Sequence, residues 1–318
     1  MEPLPKTVFQ LQHEGVEAFQ FLQRAAQIGK VVVSVPLRQA RVCDDGCYMV
    51  SGGTGALGLV VARWLVEQGA QHLMLMSRSG SVARGAEPLK HWLDTCGANV
   101  AVKLCDVADE EAVRCAVADA NTTMAPVRGI MHCAGVLADA VLEQQTMERL
   151  VAVWSGKVGG ARNLYAACKA LTECDLDMFV LFSSVASLLG GAGQANYAAA
   201  NAVLDGLARK WRAEGLAGAL SVQWGPWAEA GMAVTSEVTS RLSAQGLRGI
   251  RNDEGLRALE ISMRKGGPAV IGVAPIRWCV FLDRLVEVPR FLEEFEDHQR
   301  RRSGASRGNE ESALVAGL

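Results

Sequence analysis

Tyr48-Met49-Val50-Ser51-Gly52-Gly53-Thr54-Gly55-Ala56-Leu57-Gly58 reads as a short apolar strand, a glycine-rich turn and the opening of a helix that runs on to about Glu67. A strand, tight turn and helix in that order bring unpaired backbone N–H groups and the positive end of a helix to one point, where a pyrophosphate satisfies both. The glycines fall at Gly52, Gly55 and Gly58, a G-x-x-G-x-x-G spacing rather than G-x-G-x-x-G. A purely structural bend fits the same residues, so the neighbouring chain has to decide.

Outward from this turn, apolar runs alternate with helical patterns. His72-Leu73-Met74-Leu75-Met76, Val100-Ala101-Val102-Lys103-Leu104, Gly129-Ile130-Met131-His132, Met178-Phe179-Val180-Leu181-Phe182 and Leu220-Ser221-Val222-Gln223-Trp224 read as further strands, with room for a helix between each pair. Such alternation predicts an α/β fold: a Rossmann-like doubly wound parallel sheet with helices on both faces. Residues 236–290 read as a helical lid region followed by a closing strand at Ala269-Val270-Ile271-Gly272-Val273. The main domain is therefore placed at 47–290. Residues 1–37 hold one amphipathic helix around Val16–Leu22 and one strand around Ile28–Pro36, residues 38–46 read as a polar linker, and residues 291–318 as a charged, flexible tail.

Composition narrows the function. With a net charge of -2 over 318 residues, nothing points to nucleic acid or an anionic membrane. Arg300-Arg301-Arg302 follows acidic residues and has no interleaved aromatics, which reads as a solvated tail. The nine cysteines lack ligand spacing, and Cys105, Cys115, Cys133 and Cys168 read as buried thiols of a reducing compartment. No basic region followed by a long apolar run opens the chain, and no apolar stretch is long enough to span a bilayer, so a cytoplasmic location is expected.

The end of the second strand sharpens the reading of the glycine turn. An NAD-preferring site places an acid there to accept from the ribose hydroxyls. Here the chain reads Met76-Ser77-Arg78-Ser79. Arg78 can pair with a 2′-phosphate, with Ser77 and Ser79 donating to it, which favours NADPH; an exposed arginine without a ligand is the other reading. Asp106-Val107 after the third strand suits an adenine, and the small residues of His132-Cys133-Ala134-Gly135 let a cofactor approach the backbone.

Tyr197 supplies a candidate proton donor. Hydride addition to a ketone builds negative charge on oxygen, which needs hydrogen bonds and then a proton. A phenol does both, but its reference pKa is about 10, and a nearby ammonium eases the transfer. Four residues after Tyr197 stands Asn201, not a lysine. Lys157, flanked by small residues in Trp154-Ser155-Gly156-Lys157-Val158-Gly159-Gly160, is the expected source of the charge. Asn201 then holds a water or the lysine in register. Ser183 and Ser184 both follow a strand; the spacing to Tyr197 favours Ser184 as the hydrogen-bond donor to the substrate oxygen.

Taken together, Ser51-Gly52-Gly53-Thr54-Gly55-Ala56-Leu57-Gly58, Ser77-Arg78, His132-Cys133-Ala134-Gly135-Val136-Leu137, Lys157-Val158, Ser183-Ser184, Gly193-Gln194-Ala195-Asn196-Tyr197-Ala198-Ala199-Ala200-Asn201 and Trp224-Gly225-Pro226-Trp227 resemble the ketoreductase domain of modular polyketide synthases and animal-type fatty acid synthases, within the short-chain dehydrogenase/reductase superfamily. The resemblance covers about residues 46–290. It implies NADPH-dependent reduction of a β-ketoacyl thioester carried on acyl carrier protein. It implies cofactor contacts at Gly52, Thr54, Gly55, Leu57, Gly58, Ser77, Arg78, Asp106, Val107, Ala134 and Gly135, catalysis by Lys157, Ser184, Tyr197 and Asn201, and substrate or stereocontrol contacts at Asp139, Leu189, Asn196 and Trp227. B-type members carry Leu-Asp-Asp where this chain has Leu137-Ala138-Asp139, and A-type members carry a tryptophan where it has Leu189, so a D-configured hydroxyl is expected.

Residues 12–36 resemble the last helix and strand of an enoyl reductase domain, on Ala18-Phe19 and Ile28-Gly29-Lys30-Val31-Val32. That implies other synthase domains as partners, including an enoyl reductase and the ketoreductase's structural subdomain. Apart from them the chain is expected to expose an apolar edge and to associate. A free-standing reductase of small ketones and a non-catalytic cofactor-binding scaffold are the alternative functions.

Overall fold

Seven parallel strands form the body of the sheet in the computed structural model, which describes residues 6–24, 30–34, 42–171, 175–230, 242–264, 266–295 and 313–317. In chain order they are β3 (Cys47–Ser51), β4 (His72–Ser77), β5 (Asn99–Leu104), β6 (Val127–His132), β7 (Met178–Ser184), β8 (Ala219–Trp224) and β9 (Val270–Pro275). In space they run β9-β8-β7-β6-β3-β4-β5. The chain winds outward from β3 to β5, returns to β6 on the other side of β3, and winds outward again. The strand order therefore reverses between β3 and β6, and the crevice beyond their carboxyl ends is where such sheets take ligands. In the register, Ser51 closes β3 opposite Met76 of β4 and His132 of β6, while Ser184 closes β7 opposite Trp224 of β8.

Both faces of the sheet are buried, which is why its central strands read as unbroken apolar runs. Side chains alternate between the faces. Tyr48 and Val50 pack with helix α2 (Ala56–Glu67), α3 (Glu87–Thr95) and the helix Asn252–Ser262; Cys47 and Met49 pack with α4 (Glu110–Thr123), α6 (Gly160–Ala170) and α8 (Ala195–Ala213). Trp211 of α8 anchors the second core, its ring 4.3 Å from that of Tyr165 and 4.8 Å from that of Phe179, centre to centre. No helix among the described residues is long and apolar enough to cross a membrane.

Three features differ from the sequence reading. At the N-terminus α1 (Leu11–Gln23) lies between two strands rather than before one: β1 (Lys6–Gln10) pairs in parallel with β2 (Lys30–Ser34). Only Val8 and Phe9 are strongly apolar in β1, too few to read as a strand; the ladder and the Phe9–Phe21 ring contact at 5.5 Å supply what the pattern lacks. The start of the expected tail is docked: Leu292 is buried in a 3-10 turn and Phe295 stacks on Trp278 at 3.9 Å. Leu292 and Phe295, three apart among charges, present one apolar edge to the domain. Further on, β10 (Ala313–Gly317) pairs antiparallel with β9, because a small apolar run meets an otherwise open sheet edge. Arg300, Arg301, Arg302 and positions 236–241 and 265 of the expected lid lie outside the described residues.

Candidate active site

The glycine turn leaves no room for side chains. Gly52 adopts φ +65°, and a Cβ on Gly58 would lie 2.2 Å from the Gly52 carbonyl oxygen. Gly55 is the N-cap of α2 and offers no side-chain oxygen, so the first-turn N–H groups face the crevice without a side-chain partner. The β4 end is tied to this turn: the Thr54 hydroxyl donates to Ser77 Oγ at 2.7 Å, and the Ala83 N–H donates to the Thr54 carbonyl at 2.9 Å. Ser77 and exposed Arg78 thus stand beside the helix end.

One cleft of about 950 Å³ runs along the carboxyl ends of the strands, and all eleven residues expected at the cofactor line it, from Gly52 and Thr54 through Arg78, Asp106 and Val107 to Gly135. A cradle closed to any Cβ and an uncapped helix start at the carboxyl ends of the strands fit a nicotinamide dinucleotide. Desolvation pushes the Cys105 thiol up to about 11 and moves Cys133 further the same way, so these two cysteines are apolar wall rather than nucleophiles. Of the four cysteines expected to be buried, Cys115 is exposed on α4 and Cys133 is half-buried.

Lys157 reaches the cleft from a widened helical turn. The helix after α5 (Met147–Trp154) becomes a π turn over Ser155–Gly159 before α6 resumes, a geometry that recurs at functional sites. The Lys157 side chain is buried; its Nζ donates to the Phe182 carbonyl at 2.9 Å and lies 5.2 Å from the centre of the Tyr197 ring. Gly135 makes space for it, since a Cβ there would come within 2.9 Å of Lys157 Cε. The backbone of the turn is held by His132, whose Nε2 is 2.8 Å from the Lys157 carbonyl and whose Nδ1 is 2.7 Å from Ser51 Oγ. A carbonyl only accepts, so Nε2 carries the proton and Nδ1 accepts from the serine. Burial holds this imidazole neutral, with its pKa pushed down to about 4.

Ser184 and Tyr197 line the same cleft as Lys157. Ser184 Oγ accepts the Ala186 N–H at 3.2 Å at the start of α7 (Ala186–Leu189). Tyr197 sits in the first turn of α8, packed with Val153, Val158, Ala186 and Ala200. Asn201, fully buried one turn on, donates to the Tyr197 carbonyl at 2.8 Å, and its Oδ1 has no protein donor among the described residues. It does not contact Lys157 through the bonds it makes. The contact Lys157 makes to Tyr197 is over the ring face.

The segment after β6 forms the opposite wall. Asp139 accepts from Gln194 Nε2 at 3.0 Å, and both line the cleft with Leu189 and Trp227. Asn196 is different: it is turned inward, donating to the carbonyls of Ala138 and Arg149 and accepting the Tyr197 N–H, so it holds the wall without facing the cleft. Two sets of residues escape the sequence reading. His132 is visible only as part of a motif, since its partners are brought by other strands. Leu247, Phe281 and Arg284 line the outer cleft from the C-terminal region, and nothing in their local pattern marks them.

The KR domain family matches residues 46–229. The phenolphthiocerol synthesis polyketide synthase type I Pks15/1 of Mycobacterium marinum is 42% identical over 258 residues, which is 80% of this chain and 12% of that protein. A Mycobacterium tuberculosis relative named "Putative inactive phenolphthiocerol synthesis polyketide synthase type I Pks1" is also 42% identical, over 80% of this chain and 16% of its own length. A solved structure of A-type ketoreductases from a modular polyketide synthase aligns with a TM-score of 0.71 at 40% identity, covering 78% of this chain and 51% of that one. The chain thus spans under a fifth of the length of these curated relatives, and about half of the solved structure. The family match covers more than half of the chain, and the chain belongs to the KR domain family, the ketoreductases of modular polyketide synthases.

Proposed function

We propose that this chain reduces the β-keto group of a β-ketoacyl thioester, carried on acyl carrier protein, to a β-hydroxyacyl thioester with NADPH as the reductant. The observation that carries the reading is the convergence of Lys157, Ser184 and Tyr197 on one cleft that also holds the glycine turn. Gly52, Gly55 and the start of α2 bind the pyrophosphate, and Arg78 with Ser77 selects the 2′-phosphate. When bound, the nicotinamide supplies a hydride to the carbonyl carbon. Ser184 Oγ and the Tyr197 hydroxyl then hydrogen-bond the carbonyl oxygen, and Tyr197 passes its proton to that oxygen as charge develops, giving the alcohol. Lys157 holds a positive charge against the ring as the phenol gives up its proton. Asn201 keeps an acceptor at Oδ1 for a water or the lysine.

Asp139, fixed by Gln194, and Leu189 in place of a tryptophan support B-type binding and a D-configured product. The A-type label belongs to the solved relative and is not carried over. Neighbouring synthase domains, among them an enoyl reductase and a structural subdomain, are the proposed partners. The test is NADPH oxidation with a short β-ketoacyl thioester, followed by chiral resolution. Oxidation yielding mainly the D-alcohol is expected; mainly the L-alcohol overturns the stereochemical assignment. The relative whose name carries "Putative inactive" is the ground for a second reading, a non-catalytic scaffold. NADPH binding with no oxidation of any ketone would select it.

A further inference from the structure

Helix α8 carries three buried polar residues at intervals of four: Tyr197, Asn201 and Asp205. Residues so spaced share one helix face. Asp205 lies two turns from Tyr197 and does not line the cleft, yet several donors from other elements converge on its carboxylate. Ser221 Oγ donates to Oδ1 at 2.6 Å and Gln223 Nε2 donates to Oδ2 at 2.8 Å, both from β8. Ser187 Oγ of α7 lies 2.8 Å from Oδ2 and 2.8 Å from the Ser184 carbonyl. Gln223 Nε2 is also 3.1 Å from Ser187 Oγ. A buried carboxylate with this many polar partners adds little net stability over apolar packing of the same volume; such networks are more often retained to hold one geometry.

The geometry held is that of the turn bearing Ser184. Ser187 has a single hydroxyl proton to share between the Ser184 carbonyl and Asp205, while its oxygen accepts from Gln223. A second tie reinforces the first: Ser183 Oγ donates to the Asn201 carbonyl at 3.2 Å. The helix that carries Tyr197 is thus bonded to the residues on both sides of Ser184. We propose that Asp205, acting through Ser187, is a positioning residue that sets where the Ser184 hydroxyl stands relative to the Tyr197 hydroxyl. This inference rests on the ketone-reductase reading of the cleft.

Three variants of the full chain test it: Ser187→Ala, Ser187→Thr and Asp205→Asn. Each is measured for turnover of a short β-ketoacyl thioester per NADPH-binding site, with sites counted by NADPH fluorescence, and for amide exchange over residues 183–189. Ser187→Ala removes one hydroxyl and leaves Asp205 bonded to Ser221 and Gln223, so its fold is kept; Asp205→Asn keeps the side-chain shape and is the harsher change to the cluster. The expected result for Ser187→Ala is a roughly 10-fold fall in kcat with less than a 2-fold change in KM, together with faster exchange over 183–189. Asp205→Asn moves in the same direction, and Ser187→Thr restores both readouts. Wild-type exchange in Ser187→Ala overturns the inference, as does an unchanged kcat per site, or a threonine that fails to rescue. If the wild-type chain reduces no ketone, the reductase reading falls by itself, and the exchange measurement alone decides whether the Asp205 network holds the turn.

Discussion

The Lys157 ammonium lies over the face of the Tyr197 ring, 5.2 Å from its centre, and is anchored there by the Phe182 carbonyl at 2.9 Å. A desolvated cation over an aromatic face is worth about 2 kcal/mol or more, and here the lysine comes from a different helix than the tyrosine it serves.

Replacing Tyr197 with Phe removes the proposed proton donor and keeps the ring under Lys157. Turnover should fall by roughly 1,000-fold, within the range for loss of a general acid, while NADPH affinity changes less than about 3-fold. Steady-state kinetics and a fluorescence titration check this; turnover near the wild-type level would remove Tyr197 from the mechanism.

Gly135→Ala attacks the same pair indirectly. The new methyl would stand 2.9 Å from Lys157 Cε, and the lysine must shift. A displaced charge should lower kcat by roughly 10-fold with folding intact, since an error of about 1 Å at a site of this kind is enough for such losses. Kinetics together with a thermal melt separate a local shift from general instability.

Arg78 should govern cofactor choice. Arg78→Ala removes the expected partner of the 2′-phosphate and leaves the glycine turn untouched. The KM for NADPH should rise roughly 10- to 100-fold while that for NADH moves little. Equal losses for the two cofactors would mean that Arg78 does not read the phosphate.

His132 makes stability depend on pH. Its folded pKa is held near 4 by burial, against 6.5 for the free side chain. The unfolded chain takes up a proton as pH falls through 6.5, and the folded chain does not until about 4. Stability from this group is therefore complete above 6.5 and is lost as pH falls toward 4, by up to about 3 kcal/mol. Urea midpoints between pH 7.5 and 4.5 should fall more steeply in the wild type than in His132→Gln; parallel curves would show that His132 does not titrate in this way.

What the sequence makes legible follows from how local the signal is. The glycine turn and the main strands are visible because each is a short continuous pattern, and a sheet buried on both faces leaves its strands almost wholly apolar. Tyr197, Ser184 and Lys157 are visible because their chemistry is uncommon for their surroundings. Asn196 and Asp205 are harder. Both are buried polar residues whose partners come from distant segments, Ala138 and Arg149 for one, Ser187, Ser221 and Gln223 for the other. Their sequence neighbours say only that they lie on a helix. β1 and β10 fail for a related reason: each is a weak run that becomes a strand only because an unpaired edge lies alongside it.

The π turn at Ser155–Gly159 has a consequence for insertions and deletions. An α-helix advances 100° per residue, and a π turn absorbs one residue more than regular winding would. Taking out one residue between Trp154 and Gly160 would restore even winding and leave α6 seated through Ala161 and Leu164, but it would swing Lys157, which lies inside the turn, off the phenol. This stretch should tolerate almost no change of length, and a relative with an alignment gap here should lack the contact between the lysine and the ring.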